Sequence, residues 1–176
     1  MMKFTSILGS KLLKIAKIMI ALSCLLLIFF ISSGIDRSTA FADQYDKEIL
    51  AGADFSNKTL QGSQFNKTDL HNALFVKSDL KGVSLFGANM TGANFTDADL
   101  RYSTLDTARM NEANLTNALF EGAFVYGASF DGAIIEGADF TDVDFRENVR
   151  QKLCKVASGK NPVTGRLTLE TLECDL

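Results

Sequence analysis

The sequence predicts an all-β solenoid, a four-sided coil closed at its C-terminal end by a small helical cap. Three observations carry that prediction. From Leu50 to Phe145 every fifth residue is apolar, twenty positions without exception. The residue two before each large one is usually small: of the nineteen such positions from Ala53 to Val143, twelve are Ala. The residue two after it is Gly at eight of the nineteen positions from Asn57 to Glu147.

With 47% hydrophobic residues, such an unbroken run would arise by chance about once in a million sequences, counting all five registers. Neither ordinary period accounts for it. On an α-helix, five residues turn about 500°, which scatters the large residues around the axis. On a flat strand they would alternate between faces. A coil with one corner per five residues sends them all inward, and four such sides make a turn of twenty residues. Residues 50–147 then give about five turns stacked at about 4.8 Å, a rod roughly 24 Å long. Four large side chains fill the axis of each layer, and the inward sites near the corners have room only for Ala or Ser. Gly serves the corners, where a type II turn requires positive φ.

Residues 1–42 read as an export signal. Lys3, Lys11, Lys14 and Lys17 precede an apolar run from Ile18 to Ile31, and Ala40-Phe41-Ala42 supplies small residues for cleavage after Ala42. A retained membrane anchor is the alternative, but 14 apolar residues fall short of the roughly 20 that a spanning helix needs. No twin-arginine pair precedes the run, so a Sec-type route is expected. The signal is short for a two-stage plastid address, and a bacterial precursor fits better. The mature chain keeps 13 of the 18 basic and 20 of the 21 acidic residues, a net charge of −7. That balance argues against a nucleic-acid surface, which needs clustered positive charge.

The spelling Ala93-Asn94-Phe95-Thr96-Asp97 and Ala98-Asp99-Leu100-Arg101-Tyr102 resembles the pentapeptide repeat family over about residues 50–147. The resemblance implies a right-handed quadrilateral β-helix. Three positions depart from the pattern. Lys58 occupies an inward small-residue slot, so the first coil is expected to fray or be capped there. Val83 and Val143 are bulkier than the slot prefers, which predicts local widening.

A coil of this kind must cover its ends. Residues 43–49 are available as a short N-terminal lid. At the other end, residues 148–176 form the predicted cap. Asp144 and Glu147 read as a capping-box variant ahead of a helix carrying Val149, Leu153, Val156 and Ala157, with Gly159 as its stop. Thr168 then caps a short final helix through Leu172. Cys154 and Cys174 are the only cysteines left after cleavage, and an exported chain favours a disulfide between them, two buried thiols being the alternative. The combination of signal, repeats, Cys154, Asn161-Pro162-Val163-Thr164-Gly165 and Cys174 is similar to thylakoid-lumenal pentapeptide repeat proteins of oxygenic phototrophs, cyanobacteria among them.

No catalytic, cofactor or metal-binding residue is expected. His71, the only histidine, falls at an outward position with no partner for a catalytic dyad. Asp139, Asp142 and Asp144 could suggest calcium, but two of them follow the repeat spelling. The Asn-X-Thr triplets are generated by the same spelling. Among outward apolar residues, Phe86, Phe124 and Tyr126 share one face and form a candidate partner surface, while Leu74, Val76 and Ile134 lie on another. The expected function is a non-enzymatic exported scaffold for protein–protein interaction in the thylakoid lumen or periplasm, meeting a membrane only through its signal before cleavage. Its partner would be another protein, a homodimer being possible. The alternatives are a DNA-mimicking topoisomerase inhibitor and a membrane-anchored form of the same scaffold.

Overall fold

In the computed structural model, which describes residues 43–174, backbone pairing repeats at a spacing of twenty residues. The chain divides between Thr39 and Ala40 into two units, and the described residues all belong to the second. The export-signal reading of residues 1–42 lies outside them.

Sixteen parallel bridges run from Gln44–Gln64 to Leu119–Asp139, each joining the residue just before one large apolar side chain to its counterpart one turn later. Phe95 shows the local pattern. Its N–H donates to Asn114 O at 2.7 Å, while the neighbouring Asn94 N–H reaches back to Ala73 O at 2.9 Å. At the next corner Ala98 N–H closes onto Phe95 O at 3.0 Å. All twenty corners from Lys47 to Asp142 carry positive φ: nine are glycine and eleven are not. The third residue of each turn must be left-handed, so glycine is favoured there, but Thr107 and Tyr102 tolerate it at a cost of about 1–2 kcal/mol each.

That corner also overturns the predicted class. The all-β solenoid, with the right-handed quadrilateral β-helix implied by the resemblance, is corrected: among the described residues no β-strand forms, and the helices are α1 (Glu147–Cys154) and α2 (Thr168–Thr171). A strand needs consecutive paired residues. Here a left-handed residue interrupts the extended backbone every five positions, leaving one bridged residue per side and a chain made chiefly of turns.

The large residues nevertheless meet inside. Phe95, Leu100, Leu105 and Met110, one from each side of a single turn, are fully buried in one cluster. Rings stack along the axis where the spelling repeats Phe: Phe55 on Phe75 at 5.1 Å and Phe75 on Phe95 at 4.8 Å. Residues 43–49 run in the same register, with Gln44 and Ile49 bridged and Tyr45 stacked on Phe65 at 4.6 Å. Lys58 is exposed, and Leu50 and Phe55 beside it are only half-buried, whereas the large residues from Phe65 to Phe120 are fully buried. Val83 is accommodated without exposure.

The C-terminal cap differs from its sequence reading in two details. The residue preceding α1 is Arg146, with no side-chain cap, so Asp144 stands outside the helix it was expected to cap. Likewise Leu167 precedes α2, and Thr168 is its first residue, its hydroxyl buried without a partner among the described residues.

Core and corner should respond oppositely to substitution. Leu100→Ala should lower stability by about 3 kcal/mol through the cavity it leaves. Thr107→Gly, at an exposed left-handed corner, should raise it by up to about 1 kcal/mol. Urea midpoints at constant slope check both, and a destabilising Thr107→Gly would contradict the turn assignment.

Candidate functional site at the capped end of the coil

The cap is seated by polar contacts to the last turn of the coil. Asn161 is buried, and its side-chain amide donates to Gly137 O at 2.8 Å and Asn117 O at 3.1 Å. Its carbonyl accepts from the N–H groups of Val163 and Thr164, which shapes the loop around Pro162. Gly137 N–H donates to Ser158 O at 2.8 Å, and Phe140 N–H to the Thr171 hydroxyl at 3.1 Å. Gly159 must be glycine: its φ is +81°, and a Cβ there would lie 2.8 Å from the backbone nitrogen of Gly137.

Asp139 is the buried charge of this region. Arg166 reaches it from the cap at 3.4 Å and also touches Glu121 at 3.2 Å and the Thr141 hydroxyl at 2.9 Å. Burial alone would raise the Asp139 carboxyl, but contacts from Thr141 and Thr164 and the charge of Arg166 outweigh it and hold it below its ordinary value. With Asp139 so engaged, the acidic triplet has no shared focus. Among the described residues no three His, Cys, Asp or Glu side chains are placed to hold a metal. His71 is exposed, its ring 3.0 Å from Asp69.

Cys154, the last residue of α1, and Cys174, beyond α2, are joined by a disulfide with Cα atoms 5.7 Å apart. Both are half-buried, in an open groove of about 260 Å³ whose sides include Arg150, Lys155 and Glu173.

A second groove, of about 440 Å³, lies between α1 and the coil side carrying Phe130. Val149, Leu153 and Val156 face Ala128, Phe130 and Ala133 across it, and Arg146 stands at its edge. The Arg146 guanidinium lies over the Tyr126 ring at 4.5 Å, a cation–π contact in which the cation remains exposed. Sequence reasoning passed over Arg146. The twenty-residue register contained the signal, since residues 86, 106, 126 and 146 form one column.

Of the candidate partner face, Phe124 and Tyr126 flank Val125 and are 60% and 69% exposed, while Phe86 is 41% exposed. Phe86 sits two turns from Tyr126 with Asp106 between them, and the Asp106 carboxylate accepts from Tyr126 N–H at 2.7 Å. Among the described residues no ring contact joins Phe86 to either of the others.

A profile of pentapeptide repeats matches residues 50–82, 78–111 and 108–146. The chain belongs to the pentapeptide-repeat family. A member from the thylakoid lumen of Arabidopsis thaliana, known as a crystal structure, is 45% identical over 75% of this chain and 92% of its own, with a TM-score of 0.74. A pentapeptide repeat protein from Nostoc PCC 7120 is 28% identical over 58% of this chain and 93% of its own, with a TM-score of 0.49. One from the cyanobacterium Cyanothece 51142 is 21% identical over 66% and 89%, with a TM-score of 0.48. No curated protein matches the chain. The lumenal source of the Arabidopsis relative supports an extracytoplasmic location for this pentapeptide-repeat protein.

The scaffold reading is corrected together with the fold class. It rested on a β-solenoid rod presenting side-chain columns to a protein partner, and among the described residues no strand forms. The columns are also chemically broken: Phe86, Asp106, Tyr126 and Arg146 in one, and Ser84, Thr104 and Phe124 in another. The DNA-mimicking and membrane-anchored variants rested on the same architecture and go with it.

The buried carboxylate makes a pH prediction. Because its folded value is the lower one, the unfolded chain takes up the proton first as pH falls. The stability Asp139 lends is therefore full well above pH 4 and lost as pH drops through the folded value. Between pH 5 and pH 2, the urea midpoint of the wild type should fall more steeply than that of Asp139→Asn. Parallel curves would contradict the assignment.

Proposed function

We propose that this protein is a non-catalytic, redox-responsive component of the thylakoid lumen, in which the Cys154–Cys174 bond governs whether the cap stays seated on the end of the coil. The observation that carries the reading is a half-buried disulfide in an open groove, tying together the two segments that accept from the Gly137 and Phe140 N–H groups of the coil's last turn. A dithiol reductant can approach it. Reduction breaks the S–S bond, two electrons and two protons yield two thiols, and the reductant leaves as its own disulfide.

The cap depends on that bond more than the coil does. Helix α2 has four residues, far below the length at which a helix holds by itself. The covalent loop spans twenty residues, and closing it contributes about 3 kcal/mol in the chain-entropy view. The lumenal assignment leans on the 45% identity to the Arabidopsis protein. The non-catalytic reading leans on a core filled by side chains and on the exposed setting of His71.

Hydrogen exchange with and without dithiothreitol tests the reading. Reduction should speed exchange at the Gly137, Phe140 and Asn161 amides by about 100-fold, the equivalent of about 3 kcal/mol. The amides of Phe95, Leu100 and Leu105 should not change. Identical exchange at the cap in both states would overturn it.

A further inference from the structure

The groove beside Phe130 lies on the stretch where the coil is no longer paired. Among the described residues the N–H groups of Val125, Gly127, Phe130, Gly132 and Ile135 donate to no acceptor, and of these residues Phe130 and Gly132 line the groove. Each turn below it is satisfied by the next: the N–H of a large residue donates to the carbonyl nineteen residues on, and so does the N–H of the corner after it. Met110 N–H reaches Ser129 O at 2.8 Å, and Glu112 N–H reaches Asp131 O at 2.9 Å. One turn later the corresponding donors are Phe130 and Gly132. The chain has by then left the register for α1, and Val149 N–H bonds within the cap, to Arg146 O.

Three further features bear on what could lie there. Phe130, Ala128 and Ala133 keep slight exposure, whereas their counterparts one turn earlier, Met110, Ala108 and Ala113, keep essentially none. Val156, across the groove, is 58% exposed. Of the two cations at the groove, Lys152 is paired with Asp131 at 2.7 Å, while Arg146 has no carboxylate partner among the described residues. The berth therefore offers two backbone donors, an apolar floor and an unneutralised guanidinium.

We propose that this groove binds an extended peptide segment of a partner protein, one that alternates apolar and acidic residues. Its carbonyls accept from the Phe130 and Gly132 N–H groups, taking the place of the coil's missing next turn. An apolar side chain rests between Phe130 and Val156, and a carboxylate meets Arg146. Extended backbone satisfies the donors, and alternation places the apolar side chain down and the acidic one toward the rim. The site belongs to the oxidised, capped protein and does not require that reduction unseat the cap.

The test uses the oxidised protein and a blocked six-residue peptide of alternating leucine and glutamate, with a leucine–lysine peptide as control. In amide NMR titrations the Phe130 and Gly132 signals should shift on addition of the acidic peptide, with little change at Leu100 or Leu105. The basic peptide should produce no such shift. Arg146→Gln should weaken binding about tenfold. Val156→Glu, at an exposed position that the fold does not use, should abolish it and keeps the test valid if Arg146→Gln is poorly folded. No shift at Phe130 and Gly132 up to millimolar peptide, equal binding of the basic peptide, or undiminished binding by Val156→Glu would each overturn the proposal. None of these results bears on the exchange behaviour of the cap under reduction.

Discussion

The hydrogen bond between one turn and the next, repeated at a spacing of twenty residues, is the constraint on which the molecule depends. It sets the layer spacing, brings rings such as Phe75 and Phe95 to 4.8 Å, and leaves each layer room for four large side chains and four small ones. Such bonds contribute modestly one at a time, because each replaces a bond to water. The apolar column supplies the larger favourable term, on the order of 1.5–3 kcal/mol for each large residue it buries. The two are inseparable, since a one-residue slip would break the bridges and turn the large residues outward together.

Left-handed corners are the local expense of this arrangement. Eleven of the twenty are occupied by residues with a side chain, so the turns are held by the pairing on either side rather than by preference. The same corners explain why the chain builds no strand even though its pairing is parallel and regular. Extended backbone lasts too few residues per side for pairing to run on, and one bridge per side remains. Order comes from repetition along the axis instead of from length within a side.

Much of this was legible in the spelling. The five-residue period placed Phe95, Leu100, Leu105 and Met110 together, and the small-residue rule identified Ala93 and Ala98 as inward neighbours. Secondary structure was not legible, because inferring strands from inward-facing residues overlooks the corner that interrupts them. Helix starts were also misplaced. Asp144 looked like a cap by spacing, but Phe145 still belongs to the coil's register, so α1 begins after Arg146. At the capped end, the buried Asn161, the Arg166–Asp139 pair and the Arg146–Tyr126 stack join residues 20 to 44 apart in sequence. Only the last follows the repeat, which is why the others left no trace in it.

The register itself can be tested with cysteine pairs. Asn94 and Asn114 are bridged partners one turn apart, close enough for a disulfide. The Asn94→Cys/Asn114→Cys variant should cross-link on mild oxidation without loss of stability. Pairing position 94 with Arg109→Cys or Leu119→Cys, which lie on the adjacent sides, should not cross-link. Efficient cross-linking of either off-register pair, with none between 94 and 114, would contradict the twenty-residue coil.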